Sequence, residues 1–354
     1  MDPVQIPGIF VDRKTYPFVN VGFLHTQKDD HHDDPKHWAT KQYSKKAVID
    51  LRRNLLNASF ATHAVTNKSK MLDIAKEIAL SSHTVDADID AAVSKVFTQA
   101  QDVIPYGGYG NARSVQPHTI KTDQRIEKKA FDIECKATVA LTELFAKGVH
   151  EHKLMQVLST GNFGVEKNRK VVPTRWSITA VDDTLAKNII PKLPLFTDID
   201  CTSYFAEYLG NYFLILCFDG PYMFEFIEIM PDGQFMQDVE QYGARSAYAQ
   251  NTAGGYYATR LPIVEFLQNK KRCGSIVAIR YISPSYKQSL GVWVVRETVR
   301  KALDGVSIGF SDKVLLEEYA RKFFSKKLKI DLNPILNKSF VLDALNRQKT
   351  IFDF

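Results

Sequence analysis

Apolar residues recur every three to four positions along much of the chain, which is the spacing of amphipathic helices. The pattern predicts helices over 44–56, 70–80, 128–149, 252–267 and 291–303. Ser44 is placed to cap the first of these helices, and Gly148 to end the third. Residues 85–100 fit either a helix or a strand, because apolar positions follow a run of alternating acids.

Runs of β-branched and aromatic residues predict strands, mainly in the second half of the chain. Residues 212–218 and 222–230 flank the turn sequence Asp219-Gly220-Pro221, which is typical of a hairpin. Residues 275–282 form a further strand, and 19–24 a short strand within an otherwise irregular segment. Helices that alternate with short strands indicate an α+β or α/β chain.

The pattern changes after Pro191 and Pro194, which predicts a boundary between two halves near 190–220. We therefore expect an irregular N-terminal segment over 1–43, an N-terminal half over 44–205 and a C-terminal half over 206–330. A basic tail over 331–354 completes the chain. A length of 354 residues is sufficient for two such domains.

Composition excludes several classes of protein. Hydrophobic residues make up 45% of the chain, which excludes global disorder. No apolar run reaches about 18 residues, and the N-terminus lacks the features of a signal peptide, so we expect a cytoplasmic protein without a membrane span. The four cysteines include no CxxC pair, so we expect reduced thiols rather than a zinc ribbon. Asp29 to Asp34 has metal-binding side chains, but all six are common loop residues, and no metal site is predicted there.

Residues 169–187 are dense in polar side chains around a single tryptophan, Trp176. One interpretation is a loop that runs into a helix capped by Thr179 or Asp182. The other is the wall of a site, in which Arg175 would neutralise a phosphate while Asp182 and Asp183 hold a divalent metal. The carboxylates of Asp132 and Glu134 are further candidates for that metal.

A second dense stretch, residues 241–260, contains Arg245, Tyr256 and Arg260. It is placed at the start of a predicted helix, where free amides and arginines suit an anion. The alternative is structural: tyrosines packed on a neighbouring helix and arginines in ion pairs. Ligand sites favour domain junctions, so the site hypothesis predicts that Arg175 and Arg260 lie on a common cleft.

A glycine-rich stretch, residues 106–113, is neither a Walker motif nor a dinucleotide-binding turn. Tyr106 and Tyr109 are suited to stack on a base, and Arg113 to reach a phosphate. The alternative is a flexible connection between two parts of the N-terminal half.

Positive charge is concentrated near the end of the chain. Residues 321–354 hold eight Lys or Arg and three Asp, a net +5 of the chain's +6. Lys326, Lys327 and Lys329 are therefore candidates to contact the phosphate backbone of DNA. The alternative is a solvated helix face.

Several longer motifs identify a family. The chain resembles the archaeal Nre family of DNA repair proteins in its polar stretch at 169–187, and also in YPFVNVG at Tyr16, LSTGNFG at Leu158, GGYYATR at Gly254 and LGVWVVRE at Leu290. The resemblance implies a role in the DNA damage response in association with a sliding clamp. Some relatives begin with a four-cysteine zinc module, which has no counterpart in this chain.

The last seven residues resemble a sliding-clamp-binding peptide. Gln348, Ile351 and Phe354 match the motif of archaea and eukaryotes, whereas Gln348, Ile351 and Phe352 match the shorter bacterial motif. Nre proteins carry clamp-binding tails of this kind, which favours the first match. The alternative is a terminal turn that packs back onto its own domain.

Three functions are compatible with the sequence. The first is a DNA repair protein that is recruited to DNA, in the nucleoid, through a sliding clamp. The second is a metal-dependent nuclease or nucleotide-processing enzyme with a site between the two halves, and the third is a non-catalytic repair adaptor. An open pocket lined by Arg175, Asp182, Tyr256 and Arg260 would favour an enzyme, and burial of these side chains in ion pairs would favour an adaptor.

Overall fold

The structure, a computed structural model, describes residues 3–65, 69–94 and 106–347. The chain folds as two compact units. The barrel unit comprises the described residues up to Leu185 together with Gln288–Gly291. The sheet unit comprises Ala186–Lys287 and the described residues from Val292 onward. None of the helices in these ranges has the length and apolar character needed to cross a membrane.

Five strands of the barrel unit close into a barrel in the order β1-β2-β3-β5-β4. They are β1 (Val4–Arg13), β2 (Phe18–Thr26), β3 (Leu56–His63), β4 (Val85–Ser94) and β5 (Gly108–Pro117). Neighbouring strands are antiparallel except β3 and β5, which are parallel, and β4 pairs with β1 to close the barrel. The helices are α1 (Pro35–Thr40), α2 (Lys45–Asn54), α3 (Lys70–Leu80), α4 (Gln124–Phe131), α5 (Ala137–Ala146), α6 (Glu151–Ser159) and α7 (Thr174–Ile189).

The core of the barrel follows from strand alternation. Val19, Val21 and Phe23 on β2 are fully buried and point inward, while the residues between them face the outside. Helix α3 connects β3 to β4 and contributes Leu72 and Ile78 to the same core. The helix over 70–80 and the cap at Ser44 are confirmed, with Ser44 Oγ accepting a hydrogen bond from the amide of Ala47 at 3.2 Å.

Two predictions for the barrel unit are wrong. Residues 1–43 are not an irregular segment, because they contribute β1, β2 and α1. Pro7 is accommodated in β1 where the pairing register with β2 shifts between Gln5 and Gly8. The glycine-rich residues 106–113 are not a flexible connection, because from Gly108 onward they form β5. Their few apolar residues give little sign of a strand, and pairing with distant strands determines the conformation.

Two helix boundaries also differ from the prediction. The helix expected over 128–149 is divided into α4 and α5, because the carboxylate of Asp132 accepts hydrogen bonds from the amides of Glu134 and Cys135 at 3.2 and 3.1 Å. This Asx-type turn interrupts the helical hydrogen bonds. Helix α7 begins directly after Pro173, so Thr179 and Asp182 lie inside it and neither is its N-cap.

The sheet unit contains a six-stranded sheet in the order β10-β9-β12-β8-β7-β13. The strands are β7 (Thr202–Tyr208), β8 (Asn211–Phe218), β9 (Met223–Ile229), β10 (Phe235–Gln241), β12 (Ser275–Ile282) and β13 (Ser307–Gly309), and β6 (Thr197–Asp198) pairs with β11 (Arg272–Cys273). The helices are α8 (Ala253–Lys270), α9 (Trp293–Leu303), α10 (Lys313–Leu328), α11 (Asn333–Leu336) and α12 (Phe340–Arg347).

The hairpin predicted at Asp219-Gly220-Pro221 is wrong, although both of its strands exist. Strand β12 lies between β8 and β9, antiparallel to the first and parallel to the second. Each residue of β9 is buried, as in a strand covered on both faces. The strand predicted over 275–282 and the helix starting near Thr252 are confirmed. A barrel and a mixed sheet, each packed with helices, confirm an α+β fold.

Candidate functional site

The polar residues of the second dense stretch form one buried cluster in the sheet unit. Nη1 of Arg260 donates a hydrogen bond to Oε2 of Glu240 at 2.8 Å, and both side chains are 0% exposed. The ring of Tyr256 contacts both arginines, with the guanidinium carbons of Arg245 and Arg260 at 5.2 and 5.3 Å from its centroid. Arg245, Tyr256 and Arg260 therefore lie close together, with Tyr256 and Arg260 in the interior of the unit and Arg245 partly exposed.

Strand β10 supplies the acidic partners of this cluster. Asp238 and Glu240 are two residues apart and therefore point to the same side of the strand. Asp238 Oδ1 accepts a hydrogen bond from Arg245 Nη1 at 3.0 Å, and Glu240 Oε1 accepts one from the hydroxyl of Tyr222 at 2.6 Å. Burial raises the pKa of Tyr222 well above its usual value, and that of Tyr256 is also raised by burial. Both phenols therefore stay neutral at physiological pH.

The start of α8 already has an acidic partner from its own unit. Asp238 Oδ2 accepts hydrogen bonds from the amide and the hydroxyl of Thr252 at 2.7 and 2.8 Å. Gly255 lets the helix approach β9, since a Cβ at this position would lie 3.0 Å from the ring of Phe226. These contacts are the ones expected of a structural network that joins α8 to the sheet.

Sequence reasoning missed the acidic half of this network. Asp238, Glu240 and Tyr222 lie outside the motif that contains the arginines. The available signal was the alternation Asp238-Val239-Glu240, which places two carboxylates on one face of a strand just before Arg245. A buried arginine requires such partners, because an unpaired charge in the interior is costly.

The first dense stretch opens α7 in the barrel unit. Thr174 Oγ1 accepts a hydrogen bond from the amide of Val11 on β1 at 2.8 Å and lies 3.2 Å from Ser159 Oγ. Arg175 is exposed, whereas Asp182, about two turns further along α7, is 0% exposed and Asp183 is half-buried. The three catalytic candidates of this stretch therefore have very different access to solvent. Because Arg175 and Arg260 belong to different units, their common cleft stays a prediction.

The carboxylates proposed to hold a divalent metal are engaged separately. Asp132 accepts hydrogen bonds in the turn between α4 and α5, and Asp182 is buried on α7. Within the described ranges, no three of Asp132, Glu134, Asp182 and Asp183 bring their oxygens within 4.8 Å of one another. A metal at these positions would require rearrangement of at least one of the elements that hold them.

One group in the Asp29–Asp34 run does bring metal-binding atoms together. Side chains of His31, Asp34 and His37 offer ligand atoms within 4.8 Å of one another. The imidazole rings of His31 and His37, however, are stacked 3.6 Å apart and 6° from parallel. The lone pairs of such rings point side by side rather than at one ion, and Asp34 already caps α1 through the amide of His37 at 3.0 Å. The group is therefore best described as a stabilised turn.

The basic candidates lie at the end of α10 in the sheet unit. Lys326, Lys327 and Lys329 are exposed, and Lys329 takes the left-handed conformation that ends the helix. The ammonium of Lys327 lies 4.5 Å from the ring centroid of Phe205 and 5.6 Å from that of Phe323. Lys326 and Lys327 also line a groove of about 590 Å³ along α10. The clamp-binding candidates Gln348, Ile351, Phe352 and Phe354 lie outside the described residues.

Comparison with known proteins places these elements in context. Residues 4–235 match the family described as Archaeal Nre, N-terminal, and residues 240–354 match Archaeal Nre, C-terminal. The chain is 36% identical over 320 residues to the DNA repair protein NreA of Archaeoglobus fulgidus, covering 86% of this chain and 80% of that protein. It is 31% identical to the DNA repair protein NreA of Haloferax volcanii, covering 98% and 87%. The DNA repair protein NreB of Archaeoglobus fulgidus is 30% identical, with 98% and 90% covered. No solved structure gives a significant match.

Proposed function

Because the chain belongs to the archaeal Nre family, we propose that it is a DNA repair protein that a sliding clamp holds at DNA through residues 348–354. Its relatives are named DNA repair proteins, which supports the repair role. The observation that carries the clamp assignment is the heptad itself, which combines Gln348 with Ile351 and Phe354 at the spacing of a clamp-binding peptide. A protein held at DNA in this way would be associated with the nucleoid.

The anchoring of α12 supports this assignment. Helix α12 ends at Arg347, directly before the heptad, and buries Val341, Leu342 and Leu345 in the core of the sheet unit. Its start is held by the carboxylate of Glu225 on β9, which accepts hydrogen bonds from the amide of Val341 at 3.1 Å and from the hydroxyl of Ser339. A short peptide that follows an anchored helix can reach a partner while the folded unit stays intact.

The buried cluster supports an adaptor rather than an enzyme that uses those residues. Arg260 and Tyr256 are 0% exposed, and their charges and hydroxyl groups lie among Glu240, Arg245 and Tyr222. A substrate phosphate would have to displace these partners. We therefore propose that the cluster stabilises the sheet unit, and that Lys326 and Lys329 contact DNA from its surface.

The test is calorimetric titration of the purified clamp into the full chain. We expect a Kd of about micromolar, because a short peptide motif generally loses conformational entropy on binding. The double variant Ile351→Ala, Phe354→Ala should abolish binding. Phe340→Ala is the matched control, because Phe340 is 53% exposed on α12 but precedes the heptad.

Single variants distinguish the two motif matches. Loss of binding in Phe354→Ala with retention in Phe352→Ala supports the motif of archaea and eukaryotes, and the reverse supports the bacterial motif. If the double variant binds the clamp as tightly as the wild type, the clamp assignment is wrong. If it binds normally and unfolds at a lower temperature, the heptad packs back onto its own domain.

A further inference from the structure

The connectivity of the barrel is the first of three observations that point to an additional binding site. A closed five-stranded barrel with strand order β1-β2-β3-β5-β4 and a helix between β3 and β4 is the arrangement of the OB-fold. Barrels of this type bind oligonucleotides or oligosaccharides on the outside of strands 2 and 3. Connectivity alone does not establish function, so binding at that surface has to be inferred from its side chains.

The outer surface of β2 and β3 is identified by the pairing register. Phe18 pairs with His63, Asn20 with Ala61 and Gly22 with Ser59, and these pairs alternate with the core residues Val19 and Val21. Strand β5 extends the surface, because Tyr109 pairs with Asn57 and Asn111 with Ser59. We call this surface the barrel face; it consists of Phe18, Asn20, Ser59, Ala61, Tyr109 and Asn111.

On the barrel face, exposed aromatic rings flank smaller side chains. Phe18 is 52% exposed and Tyr109 is 48% exposed, whereas the positions between them are asparagine, serine and alanine. At the end of the barrel where β1 passes into β2, Trp176 is 43% exposed and lies 5.0 Å from the ring of Tyr16. Exposed aromatics that are held in place are suited to stack on unpaired bases, because every base has a π-face.

Charge on the barrel is separated between its two sides. Strand β4 lies between β5 and β1, away from β2 and β3, and exposes Asp86, Asp88 and Asp90. The end of β1 exposes Arg13 and the following loop exposes Lys14, and the guanidinium carbon of Arg13 lies 5.8 Å from the ring centroid of Trp176. A polyanion is therefore repelled from the β4 side and attracted to the loop beside the barrel face.

A β-bulge in β5, at the edge of the barrel face that adjoins β4, exposes one more cation. The register between β4 and β5 shifts so that Asp90 pairs with Ser114 and Ala91 pairs with Ala112, which leaves Arg113 unpaired between them. Arg113 is exposed as a result. Bulges commonly redirect a side chain in this way at the edge of a binding surface. Asp12 on β1 pairs with Asn20 of the barrel face, and its carboxylate accepts a hydrogen bond from the amide of Arg13 at 2.8 Å.

We propose that the barrel face binds single-stranded DNA, with bases stacked on Tyr109, Phe18 and Trp176 and phosphates near Arg113 and Arg13. This proposal rests on the proposed role at DNA. It specifies that the DNA is single-stranded, and it assigns a contact surface that does not depend on the clamp. Duplex DNA fits poorly, because its bases are stacked on one another and do not offer their faces to these rings.

The experiment is a fluorescence anisotropy titration of labelled oligothymidine, about 16 nucleotides long, which is the upper site size of a single OB-fold. The full chain should bind it at least about tenfold more tightly than a duplex of equal length. Tyr109→Ala and Trp176→Ala should each weaken binding roughly tenfold, since each removes one stacking partner. Tyr109→Phe keeps the ring and should bind like the wild type.

Two controls separate stacking from loss of fold. Phe131→Ala removes a 73% exposed aromatic from α4, outside the barrel strands, and should leave binding unchanged. The melting temperature of each variant is measured alongside, because Tyr109 and Trp176 are only about half exposed, and binding is compared only among variants that remain folded. Arg113→Ala should reduce the slope of log K against log salt by about 0.7, the value for one phosphate contact on a single strand.

The result of this binding experiment can be distinguished from a failure of the clamp assignment. A chain that ends at Arg347 should bind oligothymidine as tightly as the full chain, even if clamp binding is lost. Equal affinity for single-stranded and duplex DNA would overturn the proposal. So would oligothymidine binding that Tyr109→Ala and Trp176→Ala leave unchanged while the folded state is intact.

Discussion

Nη1 of Arg260 lies 2.8 Å from Oε2 of Glu240, and neither side chain has any exposed surface. This ion pair joins α8 to β10 and includes the last residue of the polar stretch 241–260, which was a candidate catalytic site. Because the pair is completely buried, we expect it to have a large effect on folding, and a substrate would have to displace neighbouring residues to reach it. The structural interpretation can therefore be tested by measuring the free energy of unfolding of variants at this pair.

Removal of one member of this pair should be strongly destabilising. Arg260→Leu leaves Glu240 buried without its guanidinium partner, which typically costs about 3–5 kcal/mol in the free energy of unfolding. Arg175→Ala is the matched control, because Arg175 is exposed and such surface changes stay within about 0.5 kcal/mol. Urea unfolding followed by circular dichroism measures both. A stable Arg260→Leu protein would contradict the structural interpretation.

Thr174 should stabilise the barrel unit through its hydroxyl group. Its Oγ1 accepts the hydrogen bond of the Val11 amide at 2.8 Å, so Thr174→Val leaves this amide without an acceptor while keeping the side-chain shape. We expect a loss of about 1–3 kcal/mol in the free energy of unfolding. Thr174→Ser keeps the hydroxyl and should recover most of that loss. Equal destabilisation by both variants would mean that packing, not the hydrogen bond, matters at this position.

Glu225 should make the stability of the sheet unit depend on pH. Burial raises the pKa of this carboxyl above its usual value of 4.5, although hydrogen bonds from Ser339, Val341 and Phe340 oppose the change. The folded state therefore holds the proton more tightly than the unfolded state, and its contribution to stability is present at acid pH and lost as pH rises through the folded-state pKa. Relative to Glu225→Gln, the wild type should lose stability as pH rises from below 4.5. A constant difference between the two proteins would contradict this.

The lysines at the end of α10 should contribute to binding of duplex DNA. Lys326, Lys327 and Lys329 are exposed, and replacing all three with Ala should flatten the slope of log K against log salt by up to about 2.7 units, or about 0.9 per phosphate contact on a duplex. Because Lys327 also lies over Phe205 and Phe323, its replacement alone should have the smallest effect on the slope. Lys192→Ala, at another lysine of the sheet unit, serves as a control for the loss of one positive charge. An unchanged slope in the triple variant would mean that these lysines form only a solvated face.

Local sequence patterns correctly predicted elements whose conformation depends mainly on residues nearby in the chain. Helix α3 over 70–80 and strand β12 over 275–282 have strong periodicity or β-branched composition, and both occur at the predicted positions. The barrel was not predicted, because β5 contains few apolar residues and its partners β3 and β4 are chosen by long-range pairing. The hairpin at Asp219-Gly220-Pro221 failed for the same reason, since β12 enters from about 55 residues further along.

For the candidate site too, the sequence was informative about residues that are close along the chain and not about partners that only the fold brings near. The sequence correctly grouped Arg245, Tyr256 and Arg260, because they lie close together along the chain. It did not reveal that Glu240 and Asp238 pair with them, and burial cannot be inferred from a motif that contains charged residues. The aromatic residues of the barrel face come from β2, β5 and α7, so only the fold brings Phe18, Tyr109 and Trp176 to one unit.

The most direct test of the account asks whether one molecule holds a sliding clamp and DNA on separate surfaces. Labelled oligothymidine is first saturated with the full chain, and the purified clamp is then titrated in while anisotropy is recorded. We expect a second rise in anisotropy, as a ternary complex forms, and no second rise with a chain that ends at Arg347. A fall in anisotropy as the clamp displaces DNA, or a second rise with the truncated chain, would contradict it.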